Sequence, residues 1–297
     1  MSVKKYDLLA GGQICPPASG RYYSLYSPVD STLIAEVADA TRVDVDRAVV
    51  AAHEAFCAEW KFCSVEHKRA LFAKLKEILY ATADELAAAK VQPQGGAGIP
   101  PLIERVIDYY VGKLDDPAGT LIEHGDQQTN YVYREPLGVV AIFVPFNGPM
   151  LGALLAAVPA LVAGNTIVVK APDQEAPQAL KTMQVFHEAG FPPGVVNALS
   201  GKGPEVGQAL VAHPATRLIS FTGSTATGKK VMAAAAEDLK RVQLNLGSKT
   251  AQVIFPDADL AAAVDATIGS AFPGQACSAI SRVLLHSSVR DKFIALL

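Results

Sequence analysis

The sequence offers little that would point to metal, disulfide or nucleic-acid chemistry. Its 297 residues hold four cysteines, Cys15, Cys57, Cys63 and Cys277, too few and too scattered for a disulfide framework. No Cys-x-x-Cys and no His-x-x-x-His pair occurs, so no metal site is read, and a reducing compartment fits. Positive charge is not in excess: the net charge is -3 and the pI is near 6.1. No Lys/Arg cluster interleaves with aromatic residues, which argues against nucleic acid as a partner. The longest apolar run, Met150 to Ala163, contains Pro159 and is too short to span a bilayer, so a membrane is not expected either. The opening Met1-Ser2-Val3-Lys4-Lys5-Tyr6-Asp7 meets acid at once where a signal peptide would turn apolar. These absences together lead us to expect a soluble, cytoplasmic protein. What is present is apolar bulk: 50% hydrophobic and 19% charged residues suffice for one large or two medium domains, and disorder is not indicated.

Along the chain, residues 6 to 39 mix short apolar runs with Gly11-Gly12, Pro28 and Asp30, which reads as a few edge strands. The period then changes to that of helices. Thr41 can cap a helix over 43 to 57 with Val45, Ala48, Val49, Ala52 and Phe56 on one stripe, and Ser64 starts a second. Prolines and glycines from Pro93 to Pro101 mark a loop before a helix over 102 to 114. Residues 121 to 133 alternate around Gly125-Asp126 as a solvent-facing hairpin does, and such a ribbon either meets another subunit or stands alone. From Val139 onward, buried strands over 139–144, 166–170, 195–199, 218–222 and 241–246 alternate with helices over 150–163, 177–189, 204–213 and 226–236. That rhythm predicts an α/β fold with a Rossmann-like parallel sheet covered by helices on both faces. Ligands of such sheets bind past the carboxyl ends of the strands.

The residues just after those strands are therefore the candidates. Pro145-Phe146-Asn147-Gly148-Pro149 is a rigid turn in which Asn147 either satisfies the turn itself or presents its amide as an oxyanion donor. Lys170 and Asp173 form either a ribose-binding pair or an exposed ion pair. In Phe221-Thr222-Gly223-Ser224-Thr225-Ala226-Thr227-Gly228, small residues open a helix whose free N–H groups suit phosphate. It lacks the Gly-x-Gly-x-x-Gly spacing, so an ordinary N-cap is the alternative. Near the C-terminal end, Gly274-Gln275-Ala276-Cys277 places a thiol in a small-residue turn, either as a nucleophile or as a small buried hydrophobe.

The order and spacing of Pro145-Phe146-Asn147, Lys170 with Asp173, Gly190-Phe191-Pro192-Pro193-Gly194, Phe221-Thr222-Gly223-Ser224, Leu246-Gly247-x-Lys249 and Gly274-Gln275-x-Cys277 resemble the aldehyde dehydrogenase superfamily. The resemblance extends from about Leu8 to Leu297 and is weakest between Lys90 and Leu114. It implies oxidation of a small aldehyde with NAD or NADP, in which Cys277 attacks the carbonyl, Asn147 supports the oxyanion, and a thioester is left. It further implies a cofactor set of Phe146, Lys170, Asp173, Gly203, Phe221, Gly223, Ser224, Gly228 and Leu246. Asp173 would bond ribose hydroxyls and repel a 2'-phosphate, which favours NAD. By the same resemblance, residues 1–117 and 137–246 form the NAD(P)-binding domain. Residues 118–136 form a bridging hairpin that joins a homo-oligomer, and residues 247–297 form a partial second α/β catalytic domain.

Four departures qualify the resemblance. Asn245 stands where the family's Glu-Leu-Gly-Gly-Lys motif has its general-base glutamate, and an amide has no basic lone pair near neutral pH. Hydrolysis of a thioester is then slow, and coenzyme A becomes an alternative acyl acceptor, as in the similar semialdehyde dehydrogenases. The segment after Gly247 is short for a catalytic domain, which raises two further alternatives: a dinucleotide-binding homologue without catalysis, and an enzyme completed by a separate C-terminal half. Finally, Phe272-Pro273-Gly274 is a shorter approach to the thiol than the family's usual loop, and Phe146 stands where tryptophan is common.

Overall fold

The computed structural model describes residues 3–91, 99–116, 119–125, 128–271 and 276–297. The chain opens with strands β1 (Lys4–Tyr6), β2 (Leu8–Ala10), β3 (Gln13–Cys15), β4 (Tyr22–Tyr26) and β5 (Leu33–Ala38). Helices α1 (Arg42–Ala58), α2 (Val65–Ala81), α3 (Ala83–Ala88) and α4 (Pro101–Gly112) follow, then the hairpin of β6 (Gly119–His124) and β7 (Gln128–Tyr133). An alternating series comes next: β8 (Val139–Phe143), α5 (Pro149–Val162), β9 (Thr166–Lys170), α6 (Ala176–Glu188), β10 (Val196–Leu199), α7 (Gln208–Ala212), β11 (Thr216–Gly223), α8 (Thr225–Ala236) and β12 (Arg241–Leu246). The last elements are β13 (Ala251–Ile254), α9 (Leu260–Ala271), β14 (Arg282–Leu285) and α10 (Arg290–Leu296).

The main sheet has the order β12-β11-β8-β9-β10-β2-β3, with β11, β8, β9 and β10 mutually parallel. β8 and β9 are buried at every position, as strands covered on both faces must be. On one side α5 and α6 pack together over β8, β9 and β10, with α2 and α4 against them; α1, α7 and α8 form the other group. The α/β layering is thus the one expected. The N-terminal strands divide: β1, β5 and β4 form a three-stranded sheet, whereas β2 and β3 extend the main sheet in antiparallel sense. A two-residue connection cannot make a parallel crossover, so β3 must run back along β2. Gly11 and Gly12 supply its left-handed φ angles of 60° and 78°. A side chain at Gly12 would also come within 2.7 Å of Pro193.

Two local devices tie the N-terminal segment to this core. Asp44, fully buried in the first turn of α1, accepts from the Thr41 and Ala18 N–H groups at 2.9 Å each and from Arg47 at 2.9 Å. A buried carboxylate is tolerable only when its oxygens are satisfied in this way. Phe191, in the turn before β10, packs its ring 5.7, 5.3 and 5.1 Å from those of Trp60, Phe72 and Phe186. The predicted helix over 204–213 begins instead as a π-helical turn, Gly203–Gly207, with α7 proper starting at Gln208. Pro204 near its start has no N–H to give to a regular ladder.

The chain divides into two compact units, one ending at Asn245 and the other running from Leu246 to Leu297. The second pairs β13 with β14 in parallel and buries Ile254, Val264, Val289 and Phe293 beneath α9 and α10. Its Val253 and Leu284 are exposed on the opposite face of the two strands. In the first unit the β6–β7 hairpin is exposed at every described position, including Leu121, Tyr131 and Tyr133. Among the described residues, no helix is long and apolar enough to cross a membrane.

Candidate functional site

Register places the ends of four parallel strands side by side. Phe143 of β8 pairs with Phe221 of β11 and with Lys170 of β9, which pairs with Leu199 of β10. The loops at 144–148, 171–175, 200–202 and 224 consequently leave the same edge of the sheet. After β10 the chain returns to the far side of β8, so the connections diverge between β8 and β11, the place where doubly wound sheets form a crevice.

Lys170 ends β9 and Asp173 lies in the loop that follows, and the structure brings their side chains together as an ion pair. The Lys170 side chain is 9% exposed and that of Asp173 49%, so the ammonium is sheathed by protein while the carboxylate faces outward. The Ala171 N–H donates to Leu199 at 2.7 Å and the Glu175 N–H to Pro172 at 3.3 Å, which fixes both ends of this loop. An outward carboxylate backed by a buried cation can accept from sugar hydroxyls.

After β11 comes the glycine-rich turn. A side chain on Gly223 would sit 2.7 Å from the Phe221 ring, so this position holds only glycine without displacing the aromatic. That ring packs 5.9 Å from Phe143, and a side chain at Gly207 would press to within 3.3 Å of Phe143 in turn. Ser224 is the N-cap of α8: its Oγ accepts from the Thr227 N–H at 3.2 Å and donates to Thr227 Oγ1 at 2.9 Å. The cap thus takes one of the first-turn donors, and the N–H groups of Thr225 and Ala226 remain outside the intrahelical ladder by helix geometry. Gly228 is buried one turn on, bonded to the Ser224 carbonyl at 2.9 Å. Gly203 opens the π-helical turn, with open space where a side chain would be.

The loop after β8 runs Pro145-Phe146-Asn147-Gly148 into Pro149, the first residue of α5. Phe146 is exposed and Asn147 half-buried. Pro145 folds back on Gly152, where a side chain would come within 2.8 Å of the proline ring, and Gly152 N–H bonds Gly148 at 2.7 Å. The turn is therefore rigid, as its prolines predict.

Cys277 belongs to the second unit, between α9 and β14, and is exposed, which removes the buried-hydrophobe alternative. The Ala279 N–H closes a turn onto Ala276 at 3.0 Å, and Ser248 donates to the Cys277 carbonyl at 3.1 Å. Gly274, Gln275 and the approach Phe272-Pro273-Gly274 lie outside the described residues. Asn245 is exposed on β12, and Leu246 beside it begins the second unit half-buried. The sequence gives no sign of a role for Ser248, nor for Tyr23, whose hydroxyl donates to the Asp173 carbonyl at 3.0 Å. Neither contact has a local signal. Among the described residues, no three His, Cys, Asp or Glu side chains gather as a metal site. An open groove of about 390 Å³ along α2 and α4 lies apart from the residues above; its Lys76 is paired with Asp108 at 2.7 Å and Glu104 at 3.3 Å.

Comparison with known proteins finds relatives along nearly the whole chain. The profile of the aldehyde dehydrogenase family matches residues 15–297. An aldehyde dehydrogenase of Agaricus bisporus is 36% identical over 97% of this chain and 59% of its own length. A hydroxyisobutyraldehyde dehydrogenase of Mycolicibacterium austroafricanum is 35% identical over 98% of this chain and 59% of its own. Among solved structures, PnpE from Pseudomonas sp. WBC-3 in complex with nicotinamide adenine dinucleotide has a TM-score of 0.90 at 37% identity, covering 98% of this chain and 61% of that one. Betaine aldehyde dehydrogenase from Staphylococcus aureus in complex with NAD+ has a TM-score of 0.90 at 30% identity, covering 98% and 59%. This chain accordingly spans about 59% of the length of the curated relatives it matches.

Proposed function

The chain belongs to the aldehyde dehydrogenase family, and from that premise we propose that it carries the dinucleotide site and the nucleophile of an NAD(P)-dependent oxidation of a small aldehyde. The observation that carries this reading is the gathering of Asn147, Lys170, Asp173, Gly203 and Ser224 at the strand ends and connections along one edge of the parallel sheet. The donor set fits a dinucleotide. Asp173, backed by Lys170, would accept from the adenosine ribose hydroxyls; the Thr225 and Ala226 amides at the start of α8 would meet the pyrophosphate, with Gly223 allowing its approach. Phe146, Phe221, Gly228 and Leu246 complete the set that the family resemblance assigns. A 2'-phosphate beside the Asp173 carboxylate is repelled, so NAD is the favoured form. When bound, the nicotinamide supplies the acceptor for the aldehyde hydride.

On the protein side, Cys277 is the nucleophile. Its thiolate adds to the carbonyl carbon, the carbonyl oxygen takes the negative charge, and loss of hydride leaves a thioester on the same sulfur. The role proposed for Asn147 is to donate its amide N–H to that oxygen as charge develops. Release of the acyl group is the slow part, because Asn245 cannot take a proton from water. This favours a second reading of the last step, in which a thiol such as coenzyme A receives the acyl group. The exposed β6–β7 hairpin is the proposed surface of self-association, which sedimentation velocity over a range of chain concentrations tests. The oxidation itself is tested by stopped-flow detection of NADH with short and aromatic aldehydes. One equivalent without turnover supports a living thiolate with slow release, and no burst favours a dinucleotide-binding homologue.

A further inference from the structure

Tyr23 lies on β4, in the small three-stranded sheet, with its ring half-buried against the core of the first unit. Its hydroxyl donates to the main-chain carbonyl of Asp173 at 3.0 Å, a contact between residues 150 positions apart. Among the described residues, the other main-chain bonds of the Asp173 loop are at its two ends, Ala171 and Glu175. Tyr23 takes hold of the middle. Burial first, and the nearby charges of Asp173 and Asp39 second, push the phenol well above its usual range, so it stays a donor throughout the neutral and mildly alkaline range.

The carboxylate of Asp173 is the half-exposed end of a pair whose other member, Lys170, is sheathed. With the Asp173 main chain fixed, that carboxylate faces the ribose and occupies the ammonium. With it loosened, the carboxylate can turn to water, leaving Lys170 to pair with an incoming phosphate. We propose that Tyr23 is a positioning residue for dinucleotide choice: its hydrogen bond to the Asp173 carbonyl holds the Lys170–Asp173 pair in the arrangement that prefers a free 2'-hydroxyl to a 2'-phosphate. The proposal rests on the assignment of Lys170 and Asp173 to the adenosine ribose made above.

The test is a fluorescence titration of the full chain with NADH and with NADPH, for the wild type, Tyr23→Phe, Asp173→Asn and the double variant. Tyr23→Phe removes one oxygen and keeps the ring that packs on the core. It lowers the ratio of the NADPH to the NADH dissociation constant by about 3- to 10-fold, the scale of one neutral hydrogen bond. Asp173→Asn lowers the ratio at least as much, and the double variant goes no lower than Asp173→Asn alone, because Tyr23 acts through that carboxylate. A purely structural role would depress the melting temperature of Tyr23→Phe and leave the ratio alone, which would overturn the inference. If Asp173→Asn shifts the ratio and Tyr23→Phe does not, the role of Tyr23 falls while the ribose site stands. If the wild type binds neither nucleotide, or Asp173→Asn changes neither constant, the ribose assignment falls and takes the inference with it.

Discussion

The hydroxyl of Ser248 donates to the main-chain carbonyl of Cys277 at 3.1 Å and lies 3.0 Å from Thr250 Oγ1, so the turn bearing the thiol is tied to the segment that follows β12. A second tether runs from Ser281 to the Thr250 carbonyl, through the N–H at 3.0 Å and the hydroxyl at 3.1 Å. Cys277, the proposed nucleophile, therefore sits on a braced turn, even though it is exposed to solvent.

Ser248→Gly removes that brace and replaces the side chain with the glycine of the family motif. A displacement of about 1 Å can cost on the order of 10²-fold in rate. We expect the rate constant of the NADH burst to fall by about 10- to 100-fold while its amplitude stays at one equivalent, as stopped-flow fluorescence would read. An unchanged rate constant would mean that the brace does not orient the thiol.

Asn245 gives the second prediction. General-base assistance is worth about 10²- to 10⁴-fold, so steady-state turnover with water as acceptor should be slow in the wild type. Asn245→Glu raises steady-state NADH production without raising the burst amplitude, and turnover gains an acid limb as the new carboxylate is protonated. Added coenzyme A raises turnover in the wild type more than in the variant. If coenzyme A leaves the wild type unaffected, the thiol-acceptor reading is wrong.

Much of this layout can be read from the chain itself, and the remainder divides by physical cause. β9 over Thr166–Lys170 and β12 over Arg241–Leu246 fall where the sequence predicts them, because turn and helix signals bound each run on both sides. Cys277 falls between α9 and β14 as its small-residue turn suggests. The partners of β2 and β3 are not legible, since strand pairing is decided by which edge is free after folding. Ser224 was open between a phosphate seat and an N-cap; the structure shows the cap to Thr227, and the neighbouring amides keep the other role available. Tyr23 and Ser248 act through main-chain carbonyls 150 and 29 residues away, and no local pattern reports a bond of that kind.

Tyr22 provides a prediction about pH. Its hydroxyl donates to the Asp7 carboxylate at 2.5 Å, and that bond, with smaller contributions from burial and from neighbouring negative charge, pushes the phenol up to about 12. In the unfolded chain a tyrosine titrates near 10 (roughly the model-peptide value). The folded pKa is the higher one, so the stabilisation is fully present below about pH 10 and is lost as pH rises toward about 12. Tyr22→Phe should be less stable than the wild type at pH 8, with the gap narrower at pH 11, as urea midpoints at the two values would show. A gap that widens with pH would reverse the assigned sign.

The oxidation proposed for this chain depends most directly on Cys277, and a single-turnover measurement of aldehyde oxidation in the wild type and in Cys277→Ser tests it. We predict one equivalent of NADH per chain from the wild type and none from the variant, with NADH binding alike in both. A burst that survives in Cys277→Ser, or a wild type that binds NADH yet gives no burst with any aldehyde, would contradict the claim that this thiol does the chemistry.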